Sequence, residues 1–298
     1  MTAGPHGDGE VPAFWRGLGL PGLADIHVHF LPPRILQRMW LRSDEDSLAG
    51  GLLPAYVYRW SDEERVAHLR ELGVRAFTAL AYAHQPGMAD GLNAWTLDFA
   101  THNDGCVPSA TFYPEPGVNR YTKAALDAGA RVFKVHVPGG GFDLTHARLD
   151  PIWGMLAEVG TPVVIHVNSL REQGRHASLD PLEVILRRHP TLAAVIAHLG
   201  APDYEHHVAL AQQYERVCLD TATVFTPGYE TASGTVPGKL LPQLRDLGLA
   251  GKVLLGSDFP TMSYPYAEQL AGLAALDLGD DWLRAVCWHN AARLLNLS

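Results

Sequence analysis

Short runs of apolar and β-branched residues recur along the chain at 23–29, 74–81, 106–112, 130–137, 162–167, 192–198, 217–221 and 252–258. They are continuous rather than alternating, the pattern of strands buried on both faces. Between most of them apolar positions recur at helical spacing, as in 61–72, 149–159, 180–188 and 204–214. The first of these stretches opens Ser-Asp-Glu-Glu, a capping pattern, and helical stretches end at Gly73, Gly129 and Gly160. Eight buried strands alternating with helices predict an α/β protein with a parallel sheet. Eight repeats over about 250 residues fit a closed (β/α)8 TIM barrel. A doubly wound sheet would need fewer strands and usually a glycine-rich first turn. Here that turn reads Phe30-Leu31-Pro32-Pro33, which cannot cradle a phosphate. The expectation is one TIM-barrel domain over 23–298, with a poorly ordered or peripheral N-terminal extension over 1–22. The interval from His29 to Val74 is longer than a crossover needs and holds Trp40, Arg42, Arg59 and Trp60. Such a segment is expected to shape a pocket and part of a lid.

Composition narrows the partners. The chain has 298 residues, 47% hydrophobic and 18% charged, enough to bury a core without disulfides. Its 23 basic and 32 acidic residues leave a net charge of −9, which argues against nucleic acid as the main partner. No apolar run is long enough to span a bilayer, and no membrane partner is expected. Residues 1–10 lack a basic-then-apolar leader pattern, so a cytoplasmic location is expected. Cys106, Cys218 and Cys287 lie far apart and read as ordinary core residues. The unusual number is 15 histidines.

In barrels, chemistry gathers where strands end at their C-terminal side. The polar residues at those ends are Asp25, His27, His29, Lys134, His136, His166, His198, Asp220 and Asp258. The sharpest feature is His27-Val28-His29. On a strand, residues two apart share a face, so both imidazoles point to one side while Ile26 and Val28 point to the other. Two neutral imidazoles in a buried mouth suit a divalent transition metal. Alone, the pair could equally be two histidines on an exposed strand end. His166, His198 and Asp258, each closing a separate apolar run, turn the balance toward a metal site.

The chain resembles the amidohydrolase superfamily, and within it the group that contains aminocarboxymuconate semialdehyde decarboxylase. The resembling segments are Asp-Ile-His-Val-His at 25–29, Phe-Lys-Val-His at 133–136, Gly-Phe-Asp-Leu at 141–144 and Leu-Asp-Pro-Ile-Trp at 149–153. They continue with Pro-Val-Val-Ile-His at 162–166, Ile-Ala-His-Leu-Gly at 196–200, Leu-Leu-Gly-Ser-Asp-Phe-Pro at 254–260 and His-Asn-Ala-Ala-Arg-Leu-Leu at 289–295. The resemblance implies one metal, zinc first, with Mn2+, Fe2+ or Co2+ as alternatives, ligated by His27, His29, His166 and Asp258. It implies that His198 is the acid/base beside the metal; in binuclear members this position ligates a second metal. A homodimer is also implied. Physically, a bound zinc ion lowers the pKa of its water to about 7. His198 and Asp258 then have groups able to move the proton.

Several residues admit two readings. Lys134 could become a carbamate bridging two metals, but pairing with an acid or a substrate carboxylate is preferred. His136 is expected to line the pocket. Asp25 is expected to support the site by hydrogen bonding; Asp220 either does the same or caps a helix. His6, His68, His102, His146, His189, His206 and His207 are expected on the surface; His84, after strand 2, and His176, in the loop after strand 5, could approach the mouth but are not favoured to. Trp153 and Trp282 fit packing. The leading function is a metal-dependent hydrolase of a small amide, ester or lactone. The second is non-oxidative decarboxylation of an unsaturated or aromatic acid, favoured if Arg59, Arg171 or Arg175 clamps a carboxylate. Arg59 and Trp60 are the candidate substrate contacts in the long segment, with Lys134 and His136 on the fourth strand. A barrel that binds metal without catalysis is the third, but a closed structural site needs no separate base.

Overall fold

All eight apolar runs contain a strand, and only the third is divided. The computed structural model describes residues 2–48, 56–167, 180–228, 230 and 234–297. Its strands are β1 (Leu23–Asp25), β2 (Val74–Thr78), β3 (Cys106–Val107), β4 (Ser109–Thr111), β5 (Val132–His136), β6 (Val163–His166), β7 (Ala194–Ile196), β8 (Val217–Asp220) and β9 (Val253–Leu254). Pro108 separates β3 from β4, because a proline has no N–H to give to a ladder. The chain forms two compact units, one of residues up to Thr78 together with those from Thr221 onward, the other Ala79–Asp220.

In the second unit β4 to β8 form consecutive parallel pairs, with Ser109 opposite Val132, His136 opposite His166, Ile165 opposite Ile196 and Ile196 opposite Leu219. Helices Asp150–Val159, Pro181–Arg188 and Tyr204–Gln213 occupy the expected stretches. Trp153 is fully buried, donates from Nε1 to the Leu144 carbonyl at 3.0 Å and meets Phe112 edge-on.

In the first unit β1 runs parallel to β2. Helix Asp62–Leu72 starts at a complete capping box, in which Ser61 and Glu64 each bond the other's backbone N–H, and ends at Gly73. Trp282 is buried and donates to the Leu244 carbonyl at 3.0 Å. Cys106, Cys218 and Cys287 are free and buried. No helix among the described residues is long and apolar enough to cross a membrane.

Residues 2–20 are not a loose tail. Val11–Gly17 is a helix that buries Val11 and Phe14, and Trp15 donates to the Leu72 carbonyl at 2.9 Å. The tie is Asp8. One of its oxygens accepts from the Tyr58 hydroxyl at 2.6 Å and from His68 Nε2 at 3.0 Å; the other accepts from the Ala267 N–H at 2.9 Å. Burial pushes the Asp8 pKa up, but these three donors outweigh it and hold the carboxyl below its ordinary value. His68 is accordingly an inward-facing partner rather than a surface residue. Asp8→Ala strands the donors, a loss of about 2 kcal/mol. Tm is expected to fall by roughly 4–8 °C at neutral pH. Because the folded carboxyl is depressed, its stabilisation is present above the unfolded pKa of about 4 and lost below it. The deficit of Asp8→Ala should therefore shrink in acid; an unchanged Tm at neutral pH would return these residues to the periphery.

Candidate metal centre

The ladder of β1 stops at Asp25 and the chain bends at Ile26, but backbone bonding continues to His29. Ile26 N–H donates to the Leu255 carbonyl, Asp258 N–H to that of His27, and His29 N–H to that of Phe259, at 2.7–2.9 Å, with Val28 bridged in parallel to Phe259. The two imidazoles come together, as the His-x-His spacing predicts. Ile26 and Val28 are fully buried, and His27 and His29 are 1% and 7% exposed. Their rings lie 5.0 Å apart. Asp258 joins them, with Oδ1 2.8 Å from His29 Nε2 and 3.5 Å from His27 Nε2. Its φ of +68° is costly for a residue other than glycine and is held by the pairing with His27. Gly256 makes room, since a Cβ there would sit 2.8 Å from that of His27.

A hydrogen-bonded relay supports this group. Asp25, 2% exposed, accepts on Oδ1 from the backbone N–H of His27 and Ser257, both at 3.1 Å, and on Oδ2 from the Tyr266 hydroxyl at 2.8 Å. Burial pushes its pKa up to about 7 against the pull of those donors, and a cation close by would favour the ionised form. Tyr266 N–H in turn donates to the Tyr58 hydroxyl at 2.6 Å, whose own proton goes to Asp8. The expected supporting role of Asp25 is therefore what the contacts show, while Tyr58 and Tyr266 were not singled out by the sequence. Tyr56 was also missed. Burial first, then the charge of Asp258, raises its pKa.

The other unit gathers a second set. His136 and His166 are register partners on β5 and β6, with rings stacked at 4.0 Å, and His198 lies edge-on to His166 at 4.6 Å. His136 Nδ1 accepts from the Gly139 N–H at 2.9 Å, so the neutral ring carries its proton on Nε2 and presents a donor. Lys134 lies fully buried two residues earlier on β5. His198 has φ +55° and its backbone N–H donates to Asp220 Oδ1 at 2.9 Å. Asp220 thus bonds the turn that carries His198.

The remaining candidates fall differently. Arg59 is engaged by Asp44 in a two-pronged pair, NH2 to Oδ1 at 2.6 Å and NH1 to Oδ2 at 2.9 Å, so a free carboxylate clamp is not what it offers. Trp60 stands edge-on to Tyr58 and His68, in a cluster where Tyr58 packs 4.7 Å from Phe259. Arg171, Arg175 and His176 lie outside the described residues. His84 is exposed, and His207, expected on the surface, is 1% exposed.

A family model described as amidohydrolase matches residues 24–297, and the chain belongs to that family. No curated protein matches. An uncharacterised TIM-barrel protein of Bordetella bronchiseptica is 18% identical over 92% of this chain and 98% of its own, with a TM-score of 0.72. A probable 2-pyrone-4,6-dicarboxylic acid hydrolase of Acinetobacter baumannii, solved with citric acid bound, is 14% identical over 93% and 100%, with a TM-score of 0.62. The IDCase of Metarhizium anisopliae in apo form is 15% identical over 94% and 98%, with a TM-score of 0.56. These likenesses show the fold, a TIM barrel of one domain covering most of the chain.

Donors of the right kind meet around Asp258. Two imidazole nitrogens and a carboxylate oxygen, within 4.8 Å of one another, are the borderline ligands that zinc and its neighbours take. The residues fit a divalent ion. Tyr266→Phe removes one hydroxyl and leaves the ring. Because groups that orient ligands commonly matter 10- to 100-fold, metal affinity in chelator competition should fall by about that factor with Tm little changed. Unaltered affinity would separate the relay from the ligands.

Proposed function

We propose that this chain is a metal-dependent hydrolase of a small organic substrate of amide, ester or lactone type. One divalent ion, zinc first, would be held by His27, His29, Asp258 and His166. The carrying observation is the convergence of two buried imidazoles, His27 and His29, on the partly exposed Asp258, whose Oδ1 lies 2.8 Å from one and 3.5 Å from the other. A divalent ion supplies Lewis acidity toward a substrate oxygen and makes water more acidic.

The chain's own residues would do the rest. His198 would act as general base and then general acid, its imidazole aimed by a left-handed turn that Asp220 fixes. The Asp258 oxygen not used on the ion would accept a proton from water. His136 would offer its Nε2–H to a substrate oxygen. Lys134 would pair with an acidic group rather than bridge two ions. Trp60 and Tyr56 would border the substrate from the long segment. Decarboxylation of an unsaturated acid is the second reading; of its three candidate carboxylate clamps, Arg59 is already paired with Asp44.

The test is a panel of amides, esters, lactones and unsaturated carboxylic acids, with and without chelator. Turnover of the first three classes, lost on metal removal, is expected. On the best substrate His198→Asn should lower kcat by about 10²–10⁴-fold and leave metal content intact, whereas His166→Asn should lose the metal. Release of carbon dioxide from an acid with no hydrolysis would replace this reading with the decarboxylase. An empty site in His198→Asn would make that residue a ligand.

A further inference from the structure

The Ala79–Asp220 unit holds another convergence of metal-binding side chains, away from the strand-end histidines in sequence and built on two helix starts. We propose that Asp180, His206 and His207 form a second divalent-metal site, of the zinc class and structural in role.

Asp180 caps helix Pro181–Arg188, its Oδ1 accepting the Leu182 N–H at 3.0 Å, and Oδ2 lies 2.9 Å from His206 Nε2. His206 and His207 sit in the first turn of helix Tyr204–Gln213, with rings 5.0 Å apart. One ligand atom from each of the three residues lies within 4.8 Å of the others. The spacing suits an ion, since two ligands on bonds of about 2.0–2.2 Å stand roughly 3 Å apart. It also repeats the 2.8 Å between His29 and Asp258.

The decisive group is His207. Its Nδ1 lies 3.0 Å from the Asp203 carbonyl oxygen. A carbonyl can only accept, so Nδ1 carries the proton and Nε2 of the neutral ring carries a lone pair. That Nε2 is buried and without a hydrogen-bond partner among the described residues, in a residue 1% exposed. A buried polar atom left so is costly. An imidazole whose other nitrogen donates to a backbone carbonyl is also the arrangement that orients a histidine toward a metal. Asp180 is 7% exposed and supplies negative charge at the same place, while His206 is more open and leaves an entry for ion and water.

The site would have a mechanical consequence. The His207 ring lies directly on Gly200, where a Cβ would come within 2.2 Å of its Cγ, and Gly200 itself has φ +72°. Gly200 closes the left-handed turn of His198 and Leu199. An ion joining the two helix starts would therefore brace the turn that carries His198.

Zinc stoichiometry of the full chain, by elemental analysis after chelation, zinc loading and dialysis, tests this separately from the proposed catalytic ion. In a His27→Ala/His29→Ala background one equivalent should remain and zinc should still raise Tm. Adding His206→Ala should remove that equivalent and weaken zinc binding by at least about 100-fold. His206→Cys, which keeps a ligand atom, should restore it. His206 is chosen because it is partly exposed, so its replacement spares the packing around His207. No zinc in the double variant, or zinc retained unchanged with His206→Ala, would overturn the proposal. A wild-type chain holding a single equivalent that only His206→Ala removes would support this site and contradict the catalytic one.

Discussion

The carboxylate of Asp258 between two imidazoles is the arrangement on which the rest depends. It exists because residues 26–29 and 255–259 run side by side in hydrogen-bonded register, each fixing the other's backbone. That pairing turns a two-residue spacing into two neighbouring nitrogens, and it keeps Asp258 in a left-handed conformation that nothing local would favour. A set of neighbouring buried imidazoles and an acid would be poorly accommodated without a cation or a proton to share. The relay from Asp25 through Tyr266 and Tyr58 to Asp8 shows how far the structure goes to hold it.

The same device appears at His198. A backbone in the left-handed region, stabilised by Asp220 from the next strand, presents a side chain where a strand would otherwise have carried it elsewhere. Both residues assigned to proton transfer thus sit on strained backbone with a named support. Strain of this kind persists only where the surroundings determine it, and it gathers at functional sites.

The barrel was readable because parallel strands buried on both faces leave continuous apolar runs, and each of the eight runs holds a strand. The run 106–112 was expected as one strand; the proline at 108 that divides it was not read as a break. His27, His29 and Asp258 were found because they close such runs. What escaped was set by distant partners. Nothing around Tyr266 tells that its hydroxyl supports an acid 241 positions away. His68 and His207 looked like helix-surface residues, and became inward-facing through Asp8 and through Gly200 respectively. The N-terminal segment was expected to be poorly ordered or peripheral, because nothing near Asp8 in the sequence points to Tyr58, His68 and Ala267 as its partners. Arg59 looked like a clamp until its partner Asp44, on the preceding helix, came into view.

The most direct measurement is anomalous diffraction from crystals of the zinc-loaded protein, recorded on both sides of the zinc edge. A peak is expected with His27 Nε2, His29 Nε2, His166 and an Asp258 oxygen at bonding distances of about 2.0–2.2 Å, and with His198 outside the coordination sphere. A loaded crystal with no peak against His27, His29 and Asp258 would contradict it.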